Sequence, residues 1–235
     1  MFNQIGGLNS VGGTLSDNQI GGEPFIRHIS DKLHFRFTEG SGTTCRDLSR
    51  NNNNGTFGAT TAAPTWRRGN VEFDGINDYI VIATSADFAF GTGAFTLEFC
   101  IYIPQVPAAH DVLKASTTAS ALACLILSTG GFGIGRAKVA VDTSVSSTPP
   151  TNKWFHLMVT RSGTTGEFFV DGNSVGTGTS DENFVQGNVI IGTDWNYADL
   201  PFTGFISEYR IYKDKALSPI EVQQNYLANK FRGNN

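Results

Sequence analysis

The chain has 235 residues, 40% hydrophobic and 16% charged, with a formal net charge of −4. So low a charged fraction, with 11% aromatic residues, excludes a coiled coil and a solvated disordered chain. Lys and Arg are scattered, so the basic stripe that binds nucleic acid is missing, and no apolar run approaches the roughly 20 residues that span a bilayer.

The first 28 residues differ from the rest. Asn3-Gln4-Ile5-Gly6-Gly7 recurs as Asn18-Gln19-Ile20-Gly21-Gly22, with the half-copy Ser10-Val11-Gly12-Gly13 between them. Glycine at this density costs too much backbone entropy for the segment to fold alone. Residues 1–28 are therefore expected to form an extended Gly/Asn-rich arm, held by the domain or by a neighbouring subunit, with the domain proper at 29–232. Asn3, Gln4, Ile5, Asn18, Gln19 and Ile20 are its candidate assembly contacts. The start of the chain has neither a basic n-region nor an apolar h-region, so no signal peptide is expected.

From Lys32 the sequence alternates. Leu33, Phe35 and Phe37 point one way and His34, Arg36 and Thr38 the other, the pattern of a half-buried strand. Further strand-like runs cover 71–73, 79–82, 95–103, 121–127, 154–161, 167–170, 188–191 and 202–212. Asp74-Gly75, Gly130-Gly131, Ser162-Gly163 and Asp171-Gly172 lie between them as turn signals. The segment 167–175 reads as a hairpin closed by the two-residue turn Asp171-Gly172. One helix is expected near the C-terminus. Ser218 caps it, Pro219 takes the first helical position, Glu221 completes a capping box, and Leu217 can staple against Val222. Val222 and Tyr226 would lie on the sandwich, and Gly233 would end the helix. The three cysteines, Cys45, Cys100 and Cys124, lack metal spacing and read as small buried hydrophobes of a chain made in a reducing compartment.

Four blocks, in order, carry a family resemblance. They are 33–42 with Asp47-Leu48-Ser49 and the Asn run ending at Gly55-Thr56; Phe73-Asp74-Gly75-Ile76-Asn77-Asp78-Tyr79-Ile80; Trp154-Phe155-His156-Leu157 with Val170-Asp171-Gly172; and 202–212 with Ala216-Leu217-Ser218. Over about residues 30–230 the chain resembles the laminin G-like, concanavalin A-like domains. The resemblance implies an all-β fold, two stacked antiparallel sheets in a jelly roll, acting as a binding or structural module rather than an enzyme. Most of the recurring residues are scaffold, because Asp-Gly pairs make turns and aromatic rings fill the layer between sheets.

Some enzymes of this general fold hydrolyse glycans with carboxylates in the pattern Glu-x-Asp-x-x-Glu. Glu72-Phe73-Asp74 comes nearest here, but the third position is Asn77 and Asp74 belongs to a turn, so no second carboxylate faces a glycosidic bond. His28, His34, His110 and His156 share no spacing and read as surface or satisfied core residues. Calcium is the one cofactor to consider, since it takes oxygen ligands. Asp47, Asn53 and Asn54 supply such oxygens, although an Asn-rich turn explains the same residues. Ser207 stands where relatives commonly carry Asp before Glu208, and this removes a carboxylate from a calcium site carried over by analogy.

Sugar recognition combines an aromatic platform with amide, carboxylate or hydroxyl groups. Asp194, Trp195, Asn196 and Tyr197 bring these together in one loop, and Trp66 beside Arg67-Arg68 is a second candidate. Two functional readings remain. One is a bacteriophage virion-surface component, a capsid decoration or tail-appendage subunit, which pairs with its own copies or with capsid or tail proteins through the arm and is made in the host cytoplasm. The other is a free, extracellular lectin-like module that binds cell-surface glycans.

Overall fold

Period-two alternation buries one face of most segments, and strands follow. The computed structural model describes residues 30–197 and 199–230; the arm residues Asn3, Gln4, Ile5, Asn18, Gln19 and Ile20, and also His28 and Gly233, lie outside them. Sixteen strands occur among the described residues: β1 (Asp31–Phe35), β2 (Thr44–Cys45), β3 (Gly55–Phe57), β4 (Thr65–Arg67), β5 (Asn70–Asp74), β6 (Ile80–Ile82), β7 (Phe95–Tyr102), β8 (Asp111–Lys114), β9 (Leu122–Leu127), β10 (Gly131–Arg136), β11 (Ala140–Val145), β12 (Trp154–Ser162), β13 (Thr165–Val170), β14 (Asn173–Thr179), β15 (Val189–Ile191) and β16 (Thr203–Lys213). One α-helix, α1 (Pro219–Asn229), follows the last strand.

The first layer is an eight-stranded sheet ordered β14-β13-β12-β7-β16-β5-β4, with β1 also paired to β16. The second layer is two four-stranded sheets, β11-β10-β9-β8 and β15-β6-β3-β2. Ala115 and Ile190 exchange backbone hydrogen bonds of 2.8 and 3.0 Å, which join the end of β8 to β15 and bring the two sheets into one layer. The paired strands are antiparallel, and the whole is the expected jelly-roll sandwich. Between the layers Phe35, Phe73, Phe95, Phe99, Phe132 and Phe155 are fully buried, each contributing about 1.5–3 kcal/mol of hydrophobic stabilisation. Cys45, Cys100 and Cys124 are free and buried.

The expected hairpin closes at Asp171-Gly172, whose φ values of +49° and +78° are those of the turn that matches strand twist. The capping box of α1 forms as its sequence implies: Ser218 Oγ accepts from Glu221 N–H, and the Glu221 carboxylate accepts from Ser218 N–H at 2.7 Å. Leu217 and Val222 pack with Met158, Phe169 and Tyr212 on the outer face of the first layer.

That outer face also buries a row of charge. His34 and Glu208 meet at 3.0 Å, Arg210 reaches Glu208 at 2.8 Å and Glu98 at 3.6 Å, and His156 Nε2 lies 2.9 Å from Glu98. Tyr212 (2.7 Å), Asn225 and Asn229 (3.1 Å each) donate to the same Glu98 carboxylate. Burial would raise both carboxyls, but Arg210 and the donors beside it hold Glu98 well below the usual range and Glu208 at about 2. His34 is lowered to about 4 by its own burial and then by Arg210, so at neutral pH its contact with Glu208 is a hydrogen bond from a neutral ring.

Candidate functional site

β9 has no polar residue, and the reason is that both of its faces are covered. Leu122, Cys124 and Ile126 join the interlayer core, whereas Ala123, Leu125 and Leu127 point outward. There they form a second apolar cluster with Val112, Ala115, Ala137 and Ile190, against which Tyr79, Tyr197 and Leu200 pack. An apolar outer face needs a cover, and Tyr197 and Leu200 of the loop after β15 partly supply it.

Backbone bonds fix this loop at both ends, from Gly192 N–H to Val112 O (3.2 Å) and from Val112 N–H to Leu200 O (3.3 Å). Within it Asp194 N–H donates to Asp199 O (2.9 Å), Asn196 Nδ2 to Asp199 Oδ2 (2.6 Å), and Asp199 N–H to Asn196 Oδ1 (3.1 Å). Tyr197 turns inward onto Tyr79, with ring centroids 4.7 Å apart. Trp195 is 39% exposed.

Between this loop and the β10–β11 hairpin lies a cavity of about 170 Å³. Val112, Ala123 and Leu125 give it an apolar floor; Asp194, Trp195, Lys138, Arg136 and His110 stand around it. Lys138 Nζ sits 4.3 Å from the centre of the Trp195 ring. Arg136 is committed to Asp142 through two bonds, 3.0 and 2.8 Å, and to Glu182 at 3.3 Å. Burial raises the Asp194 carboxyl above its ordinary value. Lys138, Tyr197 and Leu200 adopt positive φ (+63°, +60°, +52°) in the turns beside the cavity. An apolar floor, one exposed indole and a few fixed polar groups suit a ring with an apolar face and hydroxyl edges.

Of the four loop residues singled out in sequence, Asp194 and Trp195 line the cavity, while Asn196 and Tyr197 hold the loop. Trp66 is elsewhere. Its Nε1 donates to Gly42 O at 2.7 Å and its ring stacks on Phe57 at 4.9 Å, so it closes the rim of the core, away from the Trp195 loop. Asp47, Asn53 and Asn54 do come together, but as a self-satisfied loop. Asp47 accepts from His34 N–H and Ser49 N–H on one oxygen and from Ser49 Oγ and Asn53 N–H on the other, at 2.7–3.0 Å. Asn54 Oδ1 accepts from Asp47 N–H (2.9 Å), and Asn53 Nδ2 donates to Lys32 O (2.7 Å). With all four lone-pair positions of the carboxylate taken, the geometry fits the turn rather than a calcium ion. Glu72 pairs with Arg67, and Asp74 accepts from Ile76 N–H (2.8 Å) in its own turn.

Lys138, Arg136, Val139 and Val141 of the cavity drew no attention in the sequence. The signal for them was the unbroken apolar run 121–127, since a strand apolar on both faces has a second surface to cover.

A family model described as the concanavalin A-like lectin/glucanases superfamily matches residues 74–223, well over half the chain. No curated protein matches the sequence. Among solved structures, Trypanosoma rangeli sialidase in complex with sialic acid is similar with a TM-score of 0.67 at 14% identity, over 88% of this chain and 34% of that one. The binding domain of Paraclostridial Mosquitocidal Protein 1 is similar with a TM-score of 0.63 at 14% identity, over 84% and 52% respectively. The chain thus spans about a third to a half of these structures, and at such identity the likeness concerns the fold. The sandwich topology and the matched family model together place this chain in the concanavalin A-like lectin/glucanases superfamily.

Proposed function

We infer that this protein is a non-catalytic carbohydrate-binding β-sandwich, whose ligand lies on the outer face of β8–β11 against Trp195. The observation that carries the reading is the apolar cleft beside an exposed indole on a loop pinned at both ends. The family is a lectin/glucanase one, which supports a sugar-type ligand. A cavity of 170 Å³ lies below the roughly 300–1,000 Å³ of sites for drug-sized ligands, so one ring is its natural occupant.

Binding without hydrolysis is supported by the state of the paired carboxylates. Glycoside hydrolysis needs an acid with a raised pKa facing an open cleft. Glu98 and Glu208, which flank Arg210, are buried and held ionised, and Asp194, the raised carboxyl that does face the cleft, has no second carboxylate among the described residues that line it. Trp195→Ala is expected to lower affinity for the bound glycan about tenfold or more, as loss of one stacking face does, without altering the melting temperature. Isothermal titration with the best ligand from a glycan array checks this, and unchanged affinity would remove the cleft from the reading.

The virion-surface reading rests on the repeat in the arm, outside the described residues. Its test belongs to assembly and is given in the Discussion.

A further inference from the structure

A second cavity, of about 150 Å³, opens on the other layer beneath the C-terminal turn of α1, between Trp154, His156, Asp171, Tyr226, Asn229 and Lys230. Trp154 and Tyr226 are half-buried, so part of each ring is left to the opening. The Trp154 ring also continues a row of half-buried aromatics across the sheet, 6.1 Å from Tyr102 and 6.4 Å from Phe205.

The polar groups of the wall are fixed by bonds that each leave something over. Asp171 Oδ1 accepts from His156 N–H at 2.9 Å, which leaves Oδ2. Asn229 Nδ2 donates one hydrogen to Glu98, which leaves the second and the amide oxygen. His156 lies against Glu98 through Nε2 at 2.9 Å, which leaves Nδ1. That ring is 3% exposed, and its Nδ1 has no partner among the described residues. Lys230, exposed at the mouth, adds a donor whose charge offsets Asp171.

We propose that this cavity is a second carbohydrate subsite that takes one neutral sugar ring, so that the domain binds sugar on both layers. The wall offers both acceptors (Asp171, Asn229) and a donor (Lys230), and the hydroxyls of a polyhydroxylated ring both donate and accept, while its C–H face meets the indole and phenol. Strand backbones, the buried charge row and the tight contact of α1 on the Asp171-Gly172 turn hold the groups in place before binding, so little ordering entropy opposes a small ligand. The subsite shares no residue with the cleft at Trp195 and stands or falls separately.

The chain has three tryptophans, and their indole N–H signals report on both sites at once, with Trp66 as internal reference. Methyl glycosides of glucose, galactose and N-acetylglucosamine are titrated into the ¹⁵N-labelled protein. The Trp154 signal is expected to move in the parent and equally in Trp195→Ala. Asp171→Asn, which keeps an oxygen for His156 N–H, is expected to weaken that response about tenfold, the equivalent of one good hydrogen bond. If Trp195 moves and Trp154 does not, the second subsite is overturned and the first reading stands. If Trp154 alone moves, the second subsite stands and the Trp195 cleft falls. Movement of Trp154 with tetramethylammonium but with none of the sugars overturns the proposal in favour of an aromatic cation site.

Discussion

Buried titratable residues, His34, Glu208 and Asp111 on the acid side and Lys114 on the alkaline side, shape how this protein responds to pH. His34 has its ring held at about 4, against an ordinary 6.5, so between those values the unfolded chain takes up a proton that the folded one refuses. Its share of stability therefore falls on acidification through that window. Glu208, held at about 2 against 4.5, contributes fully above 4.5 and loses its share as the pH falls towards 2. Asp111 acts in the opposite sense, because burial raises it to about 7 and its protonation favours the folded state as the pH falls below 7. The parent's melting curve is thus a difference of terms, and His34→Gln isolates one of them. Relative to the parent, the variant is expected to gain stability progressively from pH 6.5 to 4, read by calorimetry; parallel curves would refute the assignment. Lys114 offers a second test on the alkaline side. Its ammonium lies in the core, donates to Leu122 O at 2.6 Å, and is lowered by burial to about 7 from 10.5. Between those values stability rises with pH by up to about 1.4 kcal/mol per unit. Denaturant titration of Lys114→Met is expected to show that rise abolished.

Among the elements, those with a local cause were the ones legible in sequence. The α1 cap needed only Ser218, Pro219 and Glu221, and the β13–β14 hairpin only Asp171-Gly172. Removing the cap by Ser218→Ala is expected to cost about 0.5–2 kcal/mol, measurable as a lower denaturation midpoint with an unchanged slope. Other strands were invisible for physical reasons. β10 has glycine at every second position, and β2 is two residues long; such segments become strands because a neighbour offers them a ladder. The Trp195 loop shows the same division. Its composition marked it as a candidate loop, but that Tyr197 would turn onto Tyr79 while Trp195 stayed exposed depends on a residue far away in the chain.

For the molecule as a whole, two layers bring together segments that the sequence keeps apart. The cleft at Trp195 joins β8, β9, the β10–β11 hairpin and the loop after β15, and the cavity under α1 joins β12, the β13–β14 turn and the helix. The repeated arm enters at this scale too. If residues 1–28 mediate assembly, deleting them converts the self-associated protein to a monomer of unchanged melting temperature, as light scattering and calorimetry would show; an unchanged mass would remove the assembly reading. By itself the sequence determined the fold class, the hairpin turn, the helix and the burial of the cysteines, because alternation, turn chemistry and capping act over a few residues. Only the tertiary structure decided that Asp47 serves a turn, that Trp66 belongs to the core rim, that Glu98 and Glu208 share Arg210 in a buried row, and that two cavities lie on opposite layers. Each of these depends on which residues meet across the sandwich, and distant contacts of that kind leave no local pattern in the chain.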